Sequence, residues 1–176
     1  MDVEDSLAAK RGWRFILLPI VTLITVTIDQ LVKREVMVVL RPGQSWAPIP
    51  ALEHWFTFTF VTNTGAAFGL FPSHGSIFVV VAVVVAVAIA IYYWHMPAGQ
   101  VLIKISLGLQ LGGAVGNLID RLLYGHVVDF IDFKLWPVFN LADTSIVLGV
   151  ALLALALLRE PDDEKTAIVS RGKNAL

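Results

Sequence analysis

GSIFVVVAVVVAVAIAIYYW, residues 75–94, carries no charged side chain along its whole length. The hydrocarbon core of a bilayer, about 30 Å thick, is crossed by roughly 20 mostly apolar helical residues. This stretch fits that length and reads as a membrane span. Three further stretches qualify on either side of it, at about 13–32, 101–120 and 138–158. The first carries Pro19, which membrane helices tolerate better than soluble ones. Charged residues precede it and no small-residue cleavage site stands out, so it reads as a retained helix and not a removed signal peptide. The expected architecture is an all-α polytopic membrane protein: four transmembrane helices and a small extracytoplasmic β-sheet region, in one domain of 176 residues.

The composition agrees. Of the residues, 57% are hydrophobic and 15% charged, with a mean hydropathy of +0.76. A soluble domain is nearer 45–50% apolar and about 25% charged. Disorder is excluded, and a net charge of −1 argues against a basic nucleic-acid binder. There is no cysteine, hence no disulfide, thiolate metal site or cysteine nucleophile. Orientation follows from Lys and Arg on the short flanks. Four spans put Lys10, Arg11, Arg14, Lys104, Arg159, Lys165, Arg171 and Lys173 on one side, taken as cytoplasmic; Lys33, Arg34, Arg41, Arg121 and Lys134 fall on the other. Aromatic belts match: Trp13, Tyr92, Tyr93 and Trp94 inside, Trp46, Trp55 and Trp136 outside.

The outer side holds the one sizeable loop, roughly 34–74. Phe56-Thr57-Phe58-Thr59-Phe60-Val61 alternates at period two, which predicts a strand. Val36 to Leu40 is a candidate partner, joined through a Pro42-Gly43 turn, so the β region is expected over about 34–62, lying on the membrane surface. The charged tail after Pro161 is expected to be disordered.

The acidic residues carry the functional signal. Arg14 to Asp29 is 15 residues, Lys104 to Asp120 is 16, and Arg159 back to Asp143 is 16. At about 1.5 Å per residue, each acid lies roughly 22–24 Å from the inner boundary. Three helices thus bring an acid to one layer near the outer edge of the hydrocarbon. Facing lipid there would cost a few kcal/mol each, so they should face one another or a wet cavity. Asp29 has Lys33 one turn later, a plausible tether. Asn140 and Asp143 share a helix face. Gly108, Gly112 and Gly116 form a small-residue stripe for close helix packing. Gly113, Asn117, Asp120 and Arg121 lie on the adjoining face and suggest a lined pocket. Asp129 and Asp132 sit among apolar residues in His126–Phe133, with Asp132 the weaker candidate.

Two carboxylates in a low-dielectric site tend to share a proton, one acting as general base on water and the other as acid. Asp129 and Asp143 can meet if the segment between them folds back. The four histidines show no helical ligand spacing and there is no H-E-x-x-H, so no metal or cofactor is expected. Ser106 lacks a convincing base beside it.

Five segments occur in order: Asp29-Gln30-Leu31-Val32-Lys33; Asn63-Thr64-Gly65-Ala66-Ala67-Phe68; Gly112 through Arg121 (GGAVGNLIDR); Val127-Val128-Asp129-Phe130; and Phe139-Asn140-Leu141-Ala142-Asp143. Together they resemble the lipoprotein signal peptidases (signal peptidase II) over roughly residues 15–158. The resemblance implies an intramembrane aspartic endopeptidase of the bacterial inner membrane. It would remove signal peptides from diacylglyceryl-modified prolipoproteins before the lipidated cysteine, and would be a target of globomycin. It implies Asp129 and Asp143 as the catalytic dyad. Asn63, Gly65, Asn117, Arg121 and Asn140 would line the site, with Asp29, Lys33 and Asp120 supporting it. Expected partners are prolipoproteins and membrane lipid, with no nucleic acid, and the chain is expected to act as a monomer with both termini cytoplasmic.

Two other classes compete. Acids and amides at one depth could line a proton or cation path, although the inner part of each span is apolar and Gln110 is isolated there. A non-catalytic assembly subunit is the third reading.

Overall fold

The structure is a computed structural model, and it describes residues 16–65, 75–97 and 99–159. The elements run α1 (Leu17–Val39), β1 (Ser45–Trp46), a 3-10 turn (Pro50–Leu52), β2 (Thr57–Asn63), α2 (Gly75–His95), α3 (Val101–Tyr124), β3 (Val127–Asp132) and α4 (Leu141–Arg159). Trp13 and the basic residues before it, Ala66 to His74, and the tail from residue 160 lie outside the described residues.

Among the described residues, three helices are long and apolar enough to cross a membrane: Ile77–His95, Val101–Tyr124 and Leu141–Arg159. They answer the second, third and fourth expected spans. α1 overlaps the first expected span but is not one of these three, since it carries Asp29, Lys33, Arg34 and Glu35 in its second half.

Helix α3 is the centre of the bundle and packs on all three other helices. Its glycines set the approach. A Cβ at Gly112 would lie 2.5 Å from Thr25 Cβ, and one at Gly108 would lie 2.7 Å from Val21 Cβ, both on α1. Gly149 of α4 meets Gln110 and the Ser106 carbonyl of α3 in the same way. Small residues give such helices their van der Waals contact where lipid provides no hydrophobic drive. α2 is apolar on every face and lies mostly exposed at the periphery. One apolar cluster, built from Leu18, Ile89, Tyr93, Met96, Ile103, Leu107 and Ala156, ties the four helices together at one end.

At the other end the sheet has order β1-β2-β3, antiparallel throughout. Here the expected pairing is corrected. Val36 to Val39 continues α1 as helix, and β2 pairs instead with Ser45–Trp46 and with β3. The physical reason is side-chain burial: Val36, Met37 and Leu40 fall on one helical face and pack on Phe58, Phe60 and Val128. The Pro42-Gly43 turn does form, with Gly43 at φ 81° and its N–H on the Phe60 carbonyl. It leads into β1, however, so the sheet spans 45–63 and 127–132 and does not begin near residue 34.

The last span is also shorter than expected. Val138 lies outside the helix, and Phe139 forms an antiparallel bridge to Ile131. The helix starts only after Asn140, whose side-chain Oδ1 accepts the Asp143 N–H at 2.9 Å. That bond satisfies one of the four orphan donors of a helix N-terminus. At the end of α3, Gly125 adopts φ 75° and its N–H meets the Arg121 carbonyl. The left-handed turn there releases the chain directly into β3.

Candidate active site

Between the two apolar clusters lies a polar layer contributed by five elements. β3 holds Asp129 and α4 holds Asp143 in its first turn. Both line one cavity of about 510 Å³, together with Asn63, Gly65, Asn117 and Arg121. Apart from Thr144, its remaining wall is apolar and includes Trp136, Val138 and Val147.

The two acids are connected through amides. Asn140, fully buried, donates to Asp129 Oδ1 at 2.6 Å and to Asn117 Oδ1 at 3.1 Å. Asn117 in turn donates to Asp143 Oδ1 at 2.7 Å. Asn63 donates to the other Asp129 oxygen at 2.9 Å. That last contact depends on an irregularity in β2. Phe58 pairs with Ile131 but Val61 pairs with Asp129, so β2 carries one extra residue between them. A regular ladder would place Phe60 opposite Asp129 and Thr62 on its face. The bulge puts Val61 opposite and Asn63 diagonally beside it.

Burial pushes the Asp129 carboxyl up to about 7, and Asp143 adds to the rise; the Asn63 and Asn140 amides and the Lys33 charge oppose it. This is the environment in which a carboxyl changes protonation state near neutral pH.

Arg121 lines the same chamber. Its Nη1 reaches the Asn117 carbonyl at 3.3 Å and its Nη2 the Gly65 carbonyl at 3.2 Å. Its guanidinium sits 5.3 Å from the Phe78 ring centre. The Nε–H is buried and has no partner among the described residues. Gly65 is held in turn by Asn63 Oδ1.

Behind the cavity is a buried ion cluster. Lys33 Nζ contacts Asp29 Oδ2, Asp120 Oδ2 and Asn117 Oδ1, each at 2.9 Å. All three ammonium donors are thereby used. Gln30, which the sequence reading did not single out, donates to Asp120 Oδ1, Asp29 Oδ2 and the Gly116 carbonyl. An amide next to Asp29 in a membrane-like helix was the signal available for it.

The polar face expected on α3 is thus divided. Asn117 and Arg121 reach the cavity, whereas Asp120 turns to Lys33 on α1. Gly113 does not line the cavity. It packs against Ala142 and Ser145 of α4, where a Cβ has no room. Asp132 lies in a separate network with Thr57, Thr59 and Lys134. Burial pushes its carboxyl up, but the Lys134 ammonium and the threonine hydroxyls outweigh that and hold it below the ordinary value. Ser106 bonds the Ile103 carbonyl and is not a cavity residue.

Apolar helices of membrane-spanning length, with a chamber at one end that both acids line, define the class: a polytopic helical protein with an acidic site. Residues 21–159 match the family model for signal peptidase (SPase) II. A lipoprotein signal peptidase of Halothermothrix orenii is 47% identical over 141 residues, covering 80% of this chain and 94% of that protein. One from Moorella thermoacetica is 46% identical, covering 79% and 91%. A bacterial membrane enzyme solved by the in meso method at 2.3 Å resolution superposes with a TM-score of 0.76 at 30% identity. That match covers 83% of this chain and 90% of the other. The chain belongs to the signal peptidase II family, and is a peptidase.

Proposed function

We propose that this peptidase is of the aspartic type, that Asp129 and Asp143 are its catalytic dyad, and that it works within the membrane. The observation that carries the reading is that the two acids line one cavity and are cross-linked by Asn117 and Asn140. The substrate is a diacylglyceryl-modified prolipoprotein, cut before its lipidated cysteine. The names of the relatives and the apolar cavity wall beside α4 support this. Globomycin-type inhibitors would occupy the same cavity.

In this reading the dyad shares one proton and holds a water. The ionised carboxylate takes a proton from the water as it attacks the scissile carbonyl. The protonated partner polarises the carbonyl oxygen. Collapse of the tetrahedral intermediate breaks the C–N bond, and the departing amine of the lipidated cysteine takes up a proton from the dyad. Asn63 and Arg121 line the cavity and hold the substrate backbone there.

α1 is the fourth span in this reading. Its 23 residues reach roughly 34 Å. Its acid and lysine face α3 instead of lipid, while Ile20, Leu23, Ile24, Ile28 and Leu31 are exposed. Four spans return both termini to the cytoplasmic side of a bacterial inner membrane and put the dyad near the outer leaflet, where a lipidated cysteine resides. Family membership does not favour the conducting alternative.

The test is cleavage of a lipid-modified prolipoprotein by the purified chain in micelles. Wild type should cut before the lipidated cysteine, and Asp129→Asn and Asp143→Asn, still folded, should each lose at least about 10³-fold in rate. Wild-type rates in either variant would remove that residue from the chemistry.

A further inference from the structure

We infer that Asp29, Lys33 and Asp120 form a positioning device that sets the two dyad acids in register through the backbone. The inference rests on the dyad reading above. Asp29 Oδ1 accepts the N–H of Ala142 at 2.9 Å, and Ala142 immediately precedes Asp143. Asp120 Oδ2 accepts the N–H of Val128 at 3.0 Å, and Val128 immediately precedes Asp129. Each carboxylate therefore grips the residue before one dyad acid, and Lys33 bonds both carboxylates at 2.9 Å. The third donor of Lys33 goes to Asn117 Oδ1, which turns the Asn117 amide nitrogen toward Asp143.

The arrangement has more order than a stabilising ion pair requires. Asp29 and Asp120 are 0% exposed and Lys33 is 1% exposed. Apolar residues of similar volume often stabilise an interior as well as such ions do. An apolar substitute could not hold the N–H of Ala142, one of the orphan donors of α4. Nor could it hold that of Val128, on β3. It also could not impose the orientation of Asn117. The site is cut to fit: a Cβ at Gly116 would lie 2.6 Å from Asp29 Oδ2, so α3 leaves room there for the carboxylate. Lys33 thus links a helix N-terminus and a sheet strand from a third element, and a shift of about 1 Å in such a constellation can cost about 100-fold in rate.

The device also carries charge, and this gives a readout that a purely structural role would not move. The titratable and charged groups around the pair are Asp29 and Lys33 from α1, Asp120 and Arg121 from α3, Asp129 from β3 and Asp143 from α4. Asn63 from β2 and residues 136–139 add none. The Lys33 charge opposes the upward push on Asp129. Removing it should move the acid limb of the rate profile to higher pH. Removing the negative charge of Asp29 should move that limb to lower pH.

The experiment follows prolipoprotein cleavage by the purified full chain in micelles, with kcat and KM recorded against pH and folding followed by thermal melting. Lys33→Met should lower kcat at least tenfold, with KM within about twofold, and raise the acid limb by about one pH unit. Asp29→Asn keeps an acceptor for the Ala142 N–H. It should retain kcat within about threefold and lower the limb by about half a unit. If Lys33→Met does not fold, the shift in Asp29→Asn decides alone. An unmoved limb in the folded variants overturns the inference, even if the rate falls. Asp143→Asn is measured in parallel: if it cleaves at the wild-type rate, the dyad reading fails and takes this inference with it. If it is inactive while Lys33→Met and Asp29→Asn both match wild type, only the positioning role fails.

Discussion

Replacing Asn140 by alanine removes three hydrogen bonds from one side chain with 0% exposure. The Asp143 N–H loses its cap, which is worth about 1 kcal/mol. Asp129 Oδ1 loses a 2.6 Å bond, and a bond to a charged group is worth about 1.5–3 kcal/mol. Asn117 Oδ1 keeps Lys33, so the third loss is small. The expected destabilisation is about 2–4 kcal/mol. Serine at the same position restores the cap without the amide donor, and should recover about 1 kcal/mol of that. Activity should divide differently. Both variants strip Asp129 of a donor that favours its ionised form, so its carboxyl rises further above about 7. The acid limb of the rate profile should move to higher pH in both, and raising the pH should recover part of the rate in both. The assay pairs reversible unfolding in mixed micelles with prolipoprotein cleavage from about pH 6 to about pH 9. Equal stability of the alanine and serine variants would refute the cap. Wild-type rates with an unshifted limb would refute the hold on Asp129.

Three further outcomes are expected. The Asp129 carboxyl is raised from 3.8 to about 7 by folding, so the native state binds more protons than the unfolded one between those values. Stability should therefore fall as pH rises through that window, and Asp129→Asn should lack this decline in unfolding measurements at about pH 5 and about pH 8. Gly112→Leu drives a side chain into Thr25, and should lower the melting temperature and the yield of folded protein; unchanged melting would contradict the α1–α3 contact. Arg121→Lys keeps the charge but cannot span the Asn117 and Gly65 carbonyls together, so cleavage should drop at least tenfold with melting unchanged. Full cleavage by Arg121→Lys would reduce the residue to a positive anchor.

Much of this was legible in the chain because it depends on local pattern. The charge-free run of residues 75–94 makes a helix that only lipid or protein can cover. The depth count brought Asp29, Asp120 and Asp143 to one layer, and the structure joins them through Lys33 and Asn117. Val36 to Leu40 misled because a short apolar run suits a strand or a buried helix face equally well. Its burial against Phe60 and Val128, distant in sequence, decides for the helix. Val127–Asp132 did not present itself as a strand because no alternation marks it: both of its faces are covered.

The order of residues alone specified a membrane-type helical chain, the glycine stripe of α3, and which acids could not face lipid. These follow from composition and helical period, which act within one element. Three-dimensional packing was needed to turn Asp120 to Lys33 and Asn117, three residues away on the same helix, to Asp143. It was needed too for the extra residue in β2 to bring Asn63, and not Thr62, to Asp129. Such choices depend on the register and rotation of elements far apart in the chain, and are fixed by which buried donors and acceptors can all be satisfied at once.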